Sequence, residues 1–145
     1  MLSQNPLTEY SAAYPLLICI HLAAMICGVG TAALVNLRLL GVGLTQNSSA
    51  RLWRDVMPWT LTGLTLAVFS GLALFSIDPD VYWGNPAFRF KLGALLLALA
   101  FYYTLVRRAA VSDTRASLVA WISLSLWAAI PFGGVFIGFV NAKVA

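Results

Sequence analysis

The sequence predicts an all-α integral membrane protein, a four-helix bundle with both termini outward, and three observations point there. Four apolar runs approach or exceed the roughly 20 residues needed to cross about 30 Å of hydrocarbon. Of 145 residues, 61% are hydrophobic and 10% charged, against about 25% charged in ordinary soluble domains. Six of the nine basic residues fall in two short segments between apolar runs, the distribution of a multi-pass chain. A net charge of +4 in that arrangement marks topology and argues against a nucleic-acid surface.

The first predicted span is 15–37 and the second 58–77. The third, 88–106, has an uncharged stretch of only 15 residues from Leu92. It therefore starts near Phe88, with Arg89 and Lys91 snorkelling to the surface. The fourth, 116–142, contains Pro131, which predicts a kink or local break. Alternating strand patterns of a membrane barrel do not occur.

Arg38, Arg51, Arg54, Arg107, Arg108 and Arg115 lie in the first and third connections; Arg89, Lys91 and Lys143 lie on the opposite side. Six against three places the first and third connections in the cytoplasm of a bacterial inner membrane. The N-terminal stretch carries Glu9 and no basic residue, so it reads as a short translocated tail and not as a signal peptide. Tyr10, Tyr14, Tyr82 and Trp83 then mark the outer interface, and Trp53, Trp59, Tyr102, Tyr103 and Trp121 the inner one. Between the first two spans, Leu52, Trp53 and Val56 alternate with Arg51, Arg54 and Asp55. That pattern predicts a short amphipathic helix, started by Ser48 or Ser49, lying flat on the cytoplasmic surface. The outer connection, Asp78 to Phe88, is expected to be the largest exposed outward segment.

Small residues recur at helical spacing in every span: Ala24, Gly28 and Ala32; Gly63, Ala67 and Gly71; Ala94 and Ala98; Gly134, Gly138 and Ala142. Such rows let helix backbones approach in lipid, where leucine contacts between helices gain nothing over leucine contacts with acyl chains. They serve the bundle itself, a homo-oligomer or another membrane subunit.

His21 is the single histidine. At about 100° per residue it shares a face with Ala24, Met25 and Gly28, which directs it into the bundle. An ionisable group inside a span is a functional candidate by default. Two readings stand side by side. In one, a neutral imidazole makes an interhelical hydrogen bond, with Ser70 at similar depth. In the other it is a haem b axial ligand, a copper ligand with Met25 one turn away, or a proton-relay group. Lys91 and Arg89 are either snorkelling cations at a helix start or a clamp for carboxylates, haem propionates included, above His21. Asn36 lies four turns deeper and is expected to bond a neighbouring helix. Cys19 and Cys27 lie about 12 Å apart along the helix and cannot share one ion. All five carboxylates fall outside the apolar runs, and no nucleophile motif occurs, which argues against a stand-alone enzyme or a proton-driven pump.

Several segments carry a family resemblance: Tyr14-Pro15-Leu16-Leu17, His21, Asn36 to Gly41, Pro58-Trp59, Gly71 to Phe75, and Asn85 to Leu92. Together they resemble an uncharacterised family of short bacterial four-helix inner-membrane proteins, itself faintly similar to the membrane domain of copper-resistance protein D. The resemblance covers nearly the whole chain and implies the same fold and topology. That family's pattern pairs the first-span histidine with one near the cytoplasmic end of the third span. Here the region reads Tyr102-Tyr103-Thr104-Leu105-Val106-Arg107-Arg108, and the fourth span has Gly133-Gly134-Val135 in place of a Gly-Arg pair. Set against that pattern, these departures imply that a haem or copper site of the family is either lost in this chain or completed by donors from another subunit. The function expected from the sequence is therefore a small accessory subunit of a larger membrane assembly, with a haem- or copper-binding protein as the alternative.

Overall fold

The computed structural model describes residues 12–44, 46–113 and 115–142. Glu9, Tyr10 and Lys143 lie outside the described residues. Four long apolar helices make this a multi-pass membrane protein: α1, Ala13–Leu40; α2, Ser49–Phe75; α4, Pro86–Val111; and α5, Ser117–Ala142. A short α3, Pro79–Gly84, sits in the connection between α2 and α4.

Each boundary has a local cause. Gly41 adopts φ 78° and its N–H reaches back to Arg38 and Leu37, the left-handed stop that glycine adopts without a Cβ clash. Ser48 accepts from the Arg51 N–H and starts α2. Asp78 caps α3 through the Val81 N–H, and Asn85 caps α4 through the Ala87 N–H at 2.9 Å. Asn85 also donates from Nδ2 to the Ile137 carbonyl at 3.1 Å and is buried. The outer connection is thus tied down onto α5 at this residue.

Three expectations are corrected. Residues 49–57 form no separate surface helix: α2 runs unbroken through Pro58. Leu52, Trp53 and Val56 are buried, Trp53 against Tyr102 at a ring distance of 4.9 Å, so their apolar face covers protein and not the membrane surface. Of the kink or local break expected at Pro131, the break does not occur: α5 is helical from Ser117 to Ala142 with Pro131 inside it. The third span begins two residues earlier and ends five residues later than predicted, and it contains a π-turn at Tyr102–Val106.

Helix α1 packs along α2 and also against α5, α5 along α4, and the inner end of α4 meets α2. Gly28 and Gly63 approach backbone to backbone: a Cβ on Gly63 would strike the Gly28 nitrogen and stand 2.9 Å from the Ala24 carbonyl oxygen. Ala24, Ala32, Ala67, Ala94 and Ala98 are all buried. Below these small residues, toward the ends bearing Arg38 and Arg107, Val35, Leu39, Trp53, Tyr102, Val106 and Trp127 fill the core.

Candidate functional site

The small-residue packing leaves room for polar groups at the end of the bundle that carries α3. Gly71 on α2 lets the His21 ring lie against it, because a Cβ there would come within 3.1 Å of the imidazole Cε1. Ser70, one residue before, lies 3.0 Å from His21 Nδ1 through its Oγ. From α4, Lys91 reaches across to His21 Nε2 with its Nζ at 3.4 Å. Its stem passes Gly133 and Gly134 of α5, where added Cβ atoms would fall 3.2 Å from Lys91 Cβ and 3.3 Å from Nζ. All four spans therefore converge on the His21 and Lys91 pair.

The hydrogen bonds fix the direction of the chain. Ser70 Oγ donates to the Leu66 carbonyl at 2.7 Å, so toward His21 it accepts. His21 then carries its proton on Nδ1, and the Nε2 lone pair accepts from the Lys91 ammonium; this tautomer is assigned from the network. The polarity runs from Lys91 through His21 and Ser70 into the backbone of α2. This chain of hydrogen bonds ends on a main-chain carbonyl and pins α4, α1 and α2 to one another.

That donor set does not fit haem or copper. The imidazole lone pair a metal would take already points at an ammonium group. Met25 is half-buried and packs against the apolar core; Cys19 is exposed; Cys27 Sγ donates weakly to the Trp59 carbonyl at 3.6 Å. No group of three His, Cys, Asp or Glu residues gathers among the described residues. Arg89 is exposed and, two positions from Lys91, projects about 200° away around the helix, so the two do not form one clamp.

The small-row glycines separate. Gly28 and Gly63 meet in the α1 and α2 seam, and Gly71 and Gly134 face His21 and Lys91. Gly138 is exposed, and a Cβ added there would meet no atom of the described residues within 4 Å. Gly133, outside the predicted row, is buried against Phe90 and Lys91 instead.

A second polar layer, which the sequence pattern does not announce, lies toward the end bearing Arg38 and Arg107. Thr31 and Thr60 share a hydrogen bond of 2.8 Å. The Tyr102 hydroxyl turns toward Thr60 without reaching hydrogen-bond geometry. With Asn36 Oδ1, Ser123 Oγ and Trp127 Nε1 it is buried without a partner among the described residues. The interhelical bond expected of Asn36 is not formed by its Nδ2, which donates to Ala32 of its own helix at 2.9 Å. Nothing local in the sequence marks a π-turn, which is what departs from regular helix at Tyr102.

Comparison with protein-family models, with curated proteins and with solved structures gave no match.

Proposed function

We propose that the protein is a small, non-catalytic accessory subunit of a larger bacterial inner-membrane assembly, with both termini on the outer side. The observation that carries this reading is the division of its polar and small residues. His21, Ser70 and Lys91 satisfy one another inside the chain, as interhelical polar groups in membranes do. Gly138, like Gly30 on α1 and Gly93 on α4, is by contrast exposed, and a Cβ added there would meet none of the described residues within 4 Å. An exposed glycine on a membrane helix permits close approach of a partner backbone. The partner class is another membrane helix, from a second subunit or a second copy, within the bilayer that covers the remaining apolar surface. The resemblance to an uncharacterised family of four-helix inner-membrane proteins bears on the fold and topology of this reading and not on the accessory role.

The test is site-specific photocrosslinking in native membranes, with the crosslinker at Gly138 or at the exposed Leu118. A discrete adduct with a second polypeptide from position 138 and none from 118 is the expected outcome. Lipid adducts alone from both positions, with a monomer in native electrophoresis, would overturn the proposal.

A further inference from the structure

The inner end of α4 carries a shallow groove of about 500 Å³ lined by Tyr103, Thr104, Arg107, Arg108, Val111 and Ser112. These residues form two adjacent rows at four-residue spacing on one helix, within and just after the π-turn. The two arginines are exposed. The ion pair found among the described residues joins Arg51 to Asp55, so neither Arg107 nor Arg108 has a carboxylate partner there, and no carboxylate lines the groove. The wall is firm: Tyr103 stands edge-on to both Trp53 and Tyr102, with ring distances of 6.2 and 5.5 Å.

Height along the helix identifies what meets this groove. Arg107 lies 21 residues after Pro86, about 32 Å at about 1.5 Å per residue, which is the thickness of the hydrocarbon core, about 30 Å. Tyr103 and Thr104 then lie just inside the apolar boundary, Arg107 and Arg108 at it, and Ser112 beyond it. A phospholipid spans those same zones in the same order. Its phosphate belongs at the boundary, and guanidinium groups recognise phosphate oxygens by paired hydrogen bonds. Two adjacent cations without a counter-charge match a headgroup of net negative charge better than one carrying its own ammonium.

We propose that this groove is a binding site for an anionic phospholipid, with its phosphate held by Arg107 and Arg108 and its glycerol and upper acyl chain against Tyr103 and Thr104. The site is independent of the accessory-subunit reading and of the His21 pin. It goes beyond the general basic bias of the inner segments in naming two arginines out of six.

The test uses the full chain in phosphatidylcholine nanodiscs doped with phosphatidylglycerol, and native mass spectrometry counts the phosphatidylglycerol retained per chain. Arg107→Gln with Arg108→Gln is compared with Arg51→Gln with Arg54→Gln, which removes the same charge elsewhere on the inner side. If a guanidinium in contact with the phosphate contributes about the fivefold of one basic residue at an anionic surface, the first pair should weaken retention about 30-fold, whereas Arg51 is already paired with Asp55 and neither Arg51 nor Arg54 lines the groove. The second should change it less than about threefold, and inorganic phosphate should not displace the lipid. An Arg→Lys pair, keeping charge but losing the paired geometry, should give an intermediate loss. Equal losses from both Gln pairs, no retention by the parent, or full displacement by inorganic phosphate would each overturn the site. Unchanged thermal unfolding of the variants rules out loss by misfolding; if the Gln pair unfolds, the Lys pair decides.

Discussion

Lys91 and His21, 70 positions apart in the chain, face each other at 3.4 Å from ammonium to imidazole Nε2. A lysine at the start of a membrane helix is expected to extend toward water. Here it turns inward instead, because Gly133 and Gly134 leave a channel for its stem and a neutral imidazole waits as acceptor. His21 hands the polarity on to Ser70, so one pin joins α4, α1 and α2.

Coupling between His21 and Ser70 should therefore be measurable. Single His21→Ala and Ser70→Ala variants should each lower stability by about 0.6 to 2 kcal/mol, the range for interhelical hydrogen bonds in membranes. The double variant should cost less than the sum. Reversible unfolding in mixed micelles checks this through a double-mutant cycle, and strict additivity of the two changes would remove the pin. The visible spectrum of the purified protein should not change with His21→Ala.

The glycines should split by sign. Gly63→Ala forces a methyl into the Gly28 backbone and Gly28→Ala places one 2.9 Å from Leu64, so each should destabilise by about 1 to 3 kcal/mol, as overpacking does. Gly71→Leu and Gly134→Leu strike His21 and Lys91 and should disturb association as well. Gly138→Ala meets nothing and should leave the isolated chain unchanged or stabilise it by up to about 1 kcal/mol through helix propensity. Equal thermal midpoints for Gly63→Ala and Gly138→Ala would contradict the seam.

How far the sequence is legible follows the range of each interaction. The four spans can be read because hydropathy over about 20 residues is a local property. Gly28 and Gly63 can be read as members of small-residue rows because that spacing is periodic, but that they meet each other cannot. Matching depth suffices to pair His21 with Ser70. It does not reveal the turn of Lys91 toward His21, which depends on two glycines of a helix about 40 residues later. Residues 49–57 mislead because an amphipathic pattern does not say whether its apolar face meets lipid or Tyr102. The π-turn, and the unpartnered buried atoms of Asn36, Ser123 and Trp127, arise from packing between helices, which leaves no local pattern.

Topology gives a third outcome. Reporters fused after Ala145 or inserted near Asp80 should be external, and those near Ser48 or Asp113 cytoplasmic, because the arginine-rich connections carry six basic residues against three. Activity of an exported-only reporter at Ser48 would reverse the orientation and move the His21 pin to the cytoplasmic side.

The last expectation concerns acid. Asp113, just after α4, accepts from the Ser49 backbone N–H at 2.8 Å and from its hydroxyl. It thus places a carboxylate on the first turn of α2, where free N–H groups and the helix dipole favour negative charge. Its φ of 50° is left-handed, a region Asp tolerates better than most residues. The two Ser49 hydrogen bonds, and secondarily Arg38, hold its carboxyl below the ordinary value of 3.8. Below that ordinary value the unfolded chain takes up a proton that the folded one still resists, so stability present above about pH 4 is lost as pH falls through the folded value. In a detergent whose headgroup does not titrate, the parent's thermal midpoint should fall between about pH 5 and pH 3. Asp113→Asn should start lower at pH 7 and lose less over the same interval, and Ser49→Ala should resemble it. Asp55, Asp78 and Asp80 remain in every variant, so their background cancels in the comparison. A parallel acid profile for parent and Asp113→Asn would show that this contact does not couple protonation to folding.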